Sequence, residues 1–528
     1  MRLSSLLAAL PSASVPADAG DPEITGLTAD SRQVTPGSLF VAIPGEYHDG
    51  RRYIGAVRAQ GAAAVVAEAG PGDELPPDVI TVPDGREALA WLAAAWHGHP
   101  SRQLVLIGVT GTDGKTTTSS LIHSALLAAG LRAGLVSTVS AVIGDETLDT
   151  GFHVTTPDAP ATQALLARMV AAGLTYCVLE VTSHGLAQHR VTGCAFDVAV
   201  VTNITHEHLD FHKTYENYRA AKGRLFTLLA ASPAKPGVRA KTAVLNHDDS
   251  SYAYLAGLLE PHPQSSRAPA VRRLSYGLTA AADYFADAVQ YTPAATHFTL
   301  RGPGGLAQLV QTTLVGAYNV SNTLAALAAT VGGLGLDPAK AAAGIAALPG
   351  VPGRLERLNL GQPFTAIVDF AHTPNALRRV LLTARQINPA GRLIAVFGSA
   401  GLRDVEKRRL MAQTSAELAD LTILTAEDPR TEALADILEM MAGAARMQGG
   451  VEGATFFRVP DRGAALRLAV ALAQPGDLVL ACGKGHEQSM AFGTTEYAWD
   501  DRTALRAALA ERMGVPGPAM PYLPTQAA

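Results

Sequence analysis

The residue types best placed to do chemistry lie in "LIGVTGTDGKTTTSSLI", residues 106–122. An apolar run breaks into a Gly/Asp loop, and Lys115 and Thr116 follow at the head of a helical pattern. Strand, glycine loop and helix start are the parts of a phosphate cradle, because backbone N–H groups at a helix N-terminus attract anions. In "GTDGKTT" (111–117), Gly111 and Gly114 let the backbone approach the phosphates, Lys115 brings a positive charge and Thr116 offers a hydroxyl to Mg²⁺. The full P-loop pattern is not met, since the residue five before Gly114 is Val109. A plain glycine turn between a strand and a helix is the alternative.

Two further segments, "LEVTSHGLAQHRV" (179–191) and "TNITHEHLDFH" (202–212), also follow apolar runs. They therefore belong on the same sheet edge, where ligands of open α/β sheets gather. Glu180, near the end of a buried strand, is costly to bury unless a cation pairs with it. Mg²⁺ takes a few carboxylate or similar ligands plus phosphate oxygens. A lone acid or histidine in such a loop is more simply a structural hydrogen-bonder. Several of them beside a phosphate loop favour a metal and nucleotide site.

These residues need a scaffold, and the chain has the length for one. With 528 residues and roughly 150 per domain, about three domains are expected. Residues 1–98 hold short apolar stretches such as "SLFVAI" and "AAAVVAEA", separated by turns. Between 99 and 348, "LVLIGVT", "YCVLEVT", "DVAVVTNI" and "KTAVLN" alternate with helical patterns. That grammar predicts an α/β domain with a mainly parallel sheet and helices on both faces. The Pro/Gly break at 349–353 reads as a linker. From 349 to 528, "FTAIVDF", "RLIAVFG", "DLTILTA" and "GDLVLACG" repeat the pattern as a second, Rossmann-like α/β domain. Leu3, Leu6, Leu7 and Leu10 share one helical face, so the N-terminus reads as a structural helix and not as a signal peptide.

Composition narrows the partners. Lys and Arg number 42 against 47 Asp and Glu, for a net charge of −5. With no basic block, nothing marks a nucleic-acid backbone as the partner, and small molecules are expected. No run reaches the roughly 18 apolar residues of a membrane span. Cys177, Cys194 and Cys482 share no metal-type spacing and suit small core residues in a reducing cytoplasm.

Taken in order, the motifs resemble the Mur ligases and, within them, the tripeptide synthetase branch. The resemblance covers nearly the whole chain: "TADSRQVTPGSLFVAIPGEYHDGRRYI" (28–54), "GTDGKTT", "TTPD" (155–158), "EVTSHGLAQHRV", "HEHLDFH", "YRAAKGRLF" (218–226), "GAYNVSN" (316–322), "GRLE" (353–356), "VDFAHTPNAL" (368–377), "LRDVEKRR" (402–409), "EDPR" (427–430) and "GKGHE" (483–487). It implies a UDP-sugar-binding domain (1–98), a central ATP-binding ligase domain with a P-loop-like sheet (99–348) and an amino-acid-binding domain (349–528). The implied reaction joins a dibasic amino acid to UDP-N-acetylmuramoyl-L-alanyl-D-glutamate through an acyl phosphate, with ATP and Mg²⁺, in peptidoglycan precursor synthesis. A cytoplasmic monomer is expected.

The resemblance also assigns residues. Ser31, Glu46, Tyr47 and His48 would hold the uridine nucleotide. Thr155, Thr156, Thr182, Gln188 and Arg190 would hold the muramoyl dipeptide, the Arg190 fork suiting a carboxylate. The loop Gly111, Thr112, Asp113, Gly114, Lys115, Thr116 and Thr117 would hold ATP together with Asn319, Arg354, Asp369 and His372, so that ATP is gripped between two domains. Thr116, Glu180, His208 and Lys222 would serve magnesium, with Lys222 matching the lysine that this family carbamylates; an unmodified ammonium would repel the ion. Lys115, Lys222, His208 and Glu180 are the implied catalytic set.

Arg403, Glu427, Asp428, Pro429, Arg430, Gly483 and Glu487 would lie near the incoming amino acid. Here the chain departs from the pattern, since relatives that add meso-diaminopimelate usually read "DNPR" where this chain reads "EDPR". Arg430 favours the distal carboxylate of diaminopimelate, and the added acid of Asp428 favours ornithine or lysine. Alternatively, Asp428 faces solvent or caps the following helix. The sequence places diaminopimelate first. Among rivals, a folylpolyglutamate synthetase shares the central loop but not the "DSR" and "GKGHE" segments, and an inactive nucleotide-binding regulator should lack Glu180, His208 or Lys222.

Overall fold

A computed structural model describes residues 1–17, 19–45, 48–70, 74–148, 155–205, 207–260, 271–292 and 295–527. Glu46 and Tyr47 lie outside the described residues. The chain is an α/β protein of several domains built on three main sheets. It divides into two compact units, one of Met1–Asp287, Leu300–Gln308 and Ser321–Ile345 and one of Ala288–Thr299, Leu309–Val320 and Ala346–Ala528.

The N-terminal sheet is parallel, in the order Gly26–Thr28, Ser38–Ala42, Ala64–Glu68, Ile80–Val82. Successive residues of its strands serve opposite faces. Leu39 and Val41 enter one core cluster, whereas Phe40 and Ala42 enter the other. Leu3 and Leu6 of the helix Leu3–Leu7 are buried in the first of these, with Leu7 and Leu10 packed against it. The N-terminus is thus the structural helix that its leucine spacing predicts.

The large sheet has eleven strands. At its centre Val105–Thr110 pairs in parallel with Tyr176–Glu180 on one side and Val198–Val201 on the other. Ala133–Val136 extends the parallel array on the first side, and Thr242–Asn246 with Arg272–Gly277 on the second. Strands buried on both faces read as unbroken apolar runs, which is why the sequence shows them plainly. The margins differ: Ala141–Ile143 and Glu146–Leu148 add antiparallel strands, and the strands between 284 and 312 continue the opposite margin. Their half-exposed pattern, as in "LAQLVQT", carries a weaker signal.

In the second unit Thr365–Asp369, Leu478–Cys482, Leu393–Phe397, Leu421–Leu424 and Phe456–Arg458 lie parallel in that spatial order, with Glu356–Leu358 antiparallel at one edge. In Leu478–Cys482, Val479 and Ala481 join one core cluster while Leu478, Leu480 and Cys482 join the other. All three cysteines are free and buried. Burial pushes each thiol well above the usual range.

Candidate functional site

The phosphate loop leaves the central strand at Thr110. Gly111 has φ 149°, and a Cβ there would lie 1.8 Å from Thr202 Oγ1. Gly114 has φ 81°, and a Cβ would lie 2.2 Å from Asn322 Oδ1. Both positions require glycine, on backbone conformation and on space. Between them Asp113 is clamped: its N–H donates to Asn203 Oδ1 (3.0 Å), and its carbonyl accepts from Thr202 Oγ1 (2.5 Å) and Asn203 Nδ2 (3.1 Å). The helix Lys115–Ala128 starts directly after. Its "KTTTSS" opening has poor intrinsic propensity, and burial of Thr116, Thr117, Thr118 and Ser119 supplies the stabilisation. No acidic residue occupies its first turn and Gly114 has no side chain to cap it, so the first-turn N–H groups are suited to an anion.

Lys115 Nζ folds back onto the loop, donating to the carbonyls of Gly111 (3.1 Å) and Thr112 (2.9 Å). Thr116 Oγ1 donates to Glu180 Oε1 at 3.1 Å, and the other oxygen of this carboxylate, which is only 1 % exposed, accepts from Thr138 N at 2.9 Å. Thr138 Oγ1 donates in turn to Thr155 Oγ1 at 3.0 Å. Thr156 Oγ1 donates to the Glu180 carbonyl (3.1 Å) and also accepts from Thr182 N (3.0 Å). Thr182 caps the short helix Ser183–Ala187 through Gly185 N. Arg190 Nη1 donates to the Thr156 carbonyl (2.8 Å), and its Nε and Nη2 both donate to Gln188 Oε1. Thr116, Glu180, Thr155, Thr156, Thr182, Gln188 and Arg190 are therefore linked through contacts at the carboxyl ends of neighbouring strands.

Lys222 lies on the helix Tyr215–Ala231 and is 2 % exposed. Its Nζ donates to the same Gly111 carbonyl at 2.6 Å and lies 4.6 Å from the Tyr218 ring centroid. Burial, and next the charge of Lys115, push this lysine well below the ordinary range. Tyr218 OH lies 2.9 Å from Thr112 Oγ1 and donates to Glu207 Oε2 at 3.5 Å. Exposed His208, at φ 56°, approaches Glu207 at 3.7 Å. His208 thus reaches the loop through Glu207 and Tyr218. Among the described residues no three His, Cys, Asp or Glu side chains form a metal cage. The oxygen donors here are the Thr116 hydroxyl and the Glu180 carboxylate, a small set that fits an ion which keeps water and phosphate oxygens.

Ser31 opens the turn Ser31–Gln33, capped by Asp30 through Arg32 N. His48 is exposed, and its carbonyl accepts from Gly45 N at 2.9 Å.

In the second unit, Asn319 Nδ2 donates to the Val315 carbonyl at 2.9 Å. Asp369 accepts from Leu355 N (2.7 Å) and Ala371 N (2.8 Å). Arg354 stacks 4.5 Å from the Phe370 ring, and the His372 ring lies 4.4 Å from that ring. Burial and the charge of Lys407 push His372 down to about 4, so it is neutral at pH 7.

The segment 427–430 corrects one expectation. Asp428 neither faces solvent nor caps the following helix. It is buried, with Lys484 Nζ 3.1 and 3.0 Å from its two oxygens and Ala491 N donating to Oδ1 at 2.9 Å. Ala433 precedes the next helix and makes no side-chain cap. Lys484 also pairs with Glu487 at 2.6 Å. Asp428 and Arg430 have φ of 41° and 52°, a strained conformation for such residues. Arg430 Nη1 donates to the Gly401 carbonyl at 2.8 Å, and Pro429 packs its carbonyl against Gly401. Arg403 is exposed. Glu427 is buried, and a Cβ at Gly483 would lie 2.1 Å from its Oε2, which has no hydrogen-bond partner among the described residues. Burial pushes Glu427 up to about 7.

Sequence reasoning missed Thr138, Asn203, Tyr218, Asn322 and Lys484. Asn203 in the strand-end "TNI", Tyr218 at the head of "YRAAKGRLF", Asn322 at the end of "GAYNVSN" and Lys484 inside "GKGHE" had a local signal; Thr138 had none, because long-range folding alone brings it to Glu180.

Comparison with known proteins gives the lineage. Residues 109–330 match the Mur ligase middle domain, 353–485 the Mur ligase glutamate ligase domain and 23–97 the Mur ligase catalytic domain. A UDP-N-acetylmuramyl-tripeptide synthetase of Roseiflexus sp. is 46 % identical over 93 % of this chain and 95 % of its own length. A UDP-N-acetylmuramoyl-L-alanyl-D-glutamate–2,6-diaminopimelate ligase of Geobacillus thermodenitrificans is 41 % identical over 97 % of this chain and all of its own. A solved structure bearing the latter name superposes with a TM-score of 0.68 at 31 % identity, covering 97 % of this chain and 100 % of that one. The chain therefore belongs to the Mur ligase family and is a ligase of its UDP-N-acetylmuramoyl-tripeptide synthetase branch.

Proposed function

We propose that this ligase joins a dibasic amino acid to the free carboxylate of UDP-N-acetylmuramoyl-L-alanyl-D-glutamate, using ATP, in peptidoglycan precursor synthesis in the cytoplasm. The observation that carries the reading is the shared edge on which the phosphate loop meets the Thr155–Thr156–Arg190 cluster through Glu180. A carboxylate oxygen of the dipeptide attacks the γ-phosphorus and ADP leaves. The amine then attacks the acyl carbon and phosphate leaves, completing the amide.

Lys115 and the first-turn N–H groups hold the transferring phosphoryl group, whose spread charge is what such sites stabilise. Thr116 and Glu180, with His208, are the residues that would hold magnesium, and the ion would neutralise charge on the phosphate oxygens. The depressed Lys222 has a neutral amine available to add CO₂, forming an N–C bond and releasing a proton; the resulting carbamate would turn a repelling cation into an oxygen donor. Asn319, Arg354, Asp369 and His372 are assigned to the nucleotide, Ser31 and His48 with Glu46 and Tyr47 to the uridine end, and Arg403, Gly483, Glu487 and the segment 427–430 to the amino acid.

Meso-diaminopimelate is the expected amino acid, on Arg430 and on the activity named for the Geobacillus relative. A second reading, ornithine or lysine, rests on Asp428: Lys484 faces two carboxylates, Asp428 and Glu487, and that surplus acid suits a substrate ending in an ammonium alone. Phosphate release from ATP, measured with the muramoyl dipeptide and each of the three acids, tests both. A higher kcat/KM for diaminopimelate is expected; about tenfold, or 1.4 kcal/mol, in favour of ornithine or lysine installs the second reading. Turnover with glycine or alanine alone overturns the dibasic pocket.

A further inference from the structure

Arg224 and His189 form a contact that the proposed chemistry does not use. Arg224 is two residues beyond Lys222 on the helix Tyr215–Ala231. Its Nη2 lies 2.8 Å from His189 Nε2 and 3.2 Å from His189 Nδ1, and its Nη1 donates to the Ala187 carbonyl at 3.4 Å. His189 Nδ1 also lies 3.1 Å from Thr192 Oγ1. Asp84, which caps the helix Gly85–Trp96 through Glu87 N, lies 3.5 Å from Nε2. The backbone of His189 is left-handed, at φ 57°, and such a conformation persists only where surrounding contacts over-determine it.

The residues on either side of His189 are Gln188 and Arg190. The same helix is tied to the phosphate loop at its Lys222 end, through the Gly111 carbonyl, and by Tyr218 to Thr112. One rigid element thus spans from the phosphate loop to the segment 187–190. We propose that Arg224 and His189 are positioning residues which fix Gln188 and Arg190 in register with the phosphate loop, so that the dipeptide carboxylate is presented to the γ-phosphate. The proposal rests on the reading that Gln188 and Arg190 hold the muramoyl dipeptide.

The test uses the full-length enzyme and reads KM for the dipeptide and for ATP separately. His189→Ala and Arg224→Ala should each raise the dipeptide KM by about tenfold, part of the roughly 10²-fold that an ångström of misplacement can cost, with the ATP KM unchanged. His189→Gln retains an acceptor for Arg224 and should restore the dipeptide KM, and its melting curve keeps the test open if an alanine variant does not fold. Equal rises in both KM values, no rescue by Gln, or no rise in either would overturn the positioning role. Arg190→Ala is run alongside. If it raises the dipeptide KM while the His189 and Arg224 variants do not, only the positioning role falls; if it leaves that KM unchanged, the dipeptide reading falls and the positioning role with it.

Discussion

Two fully buried lysines, one in each compact unit, behave in opposite ways. Lys222 is 2 % exposed and donates to one carbonyl; burial and the neighbouring Lys115 push it down, and the more distant Glu207, Asp113 and Glu180 do not offset them. Lys484 is completely buried too, yet it is pushed up, because Glu487 and Asp428 outweigh the burial that would lower it. Burial alone does not decide the charge state of an amine; the number of carboxylates in contact does. The lysine with no contacting carboxylate among the described residues is suited to chemistry, and the one held by two carboxylates is suited to holding a loop.

Three measurements would sharpen or break that contrast. Lys484→Met strands Asp428 among buried groups. Removing one partner of a buried pair costs about 3–5 kcal/mol, so chemical denaturation should show a loss of that order, with the strained 427–430 segment loosened. A loss below about 1 kcal/mol, the value of an exposed pair, would make Lys484 no more than a surface-like contact. Lys222→Ala should do the reverse, leaving the denaturation midpoint nearly unchanged while lowering kcat by about 10²–10³-fold, the range for removing one electrostatic group from an active site. Full ligation by this variant would remove Lys222 from the chemistry and end the comparison.

The smallest effect concerns Glu427, beside Lys484. Its folded value of about 7 is raised above an unfolded value of 4.5, chiefly by burial. The stability that its protonated form contributes is therefore complete below pH 4.5 and lost as pH rises through 7. Glu427→Gln stays neutral throughout, so its stability relative to the unsubstituted protein should improve between pH 5 and pH 8, by up to about 3 kcal/mol at 1.36 kcal/mol per unit. A difference that does not change with pH would mean that Glu427 stays ionised in the fold.

The two regions also differed in how readily the sequence disclosed them. "GTDGKTT" was legible because its parts are consecutive: a doubly buried strand must be apolar throughout, the loop needs glycine at Gly111 and Gly114, and the helix begins at once. The parallel cores of the large and C-terminal sheets were legible for the same reason. In "EDPR" the composition was visible but its electrostatics were not, because the partner of Asp428 lies 56 residues further on at Lys484.

By itself the sequence determined the local chemistry and the alternation of strand and helix, since these depend on residue type and near-neighbour spacing. Tertiary structure alone decided which groups share a charge environment: Thr138 on Glu180, Lys222 and Lys115 on one carbonyl, Arg224 on His189, Lys484 on Asp428. The physical reason is that Coulomb and desolvation energies depend on distance and burial in space, and neither quantity can be read from separation along the chain.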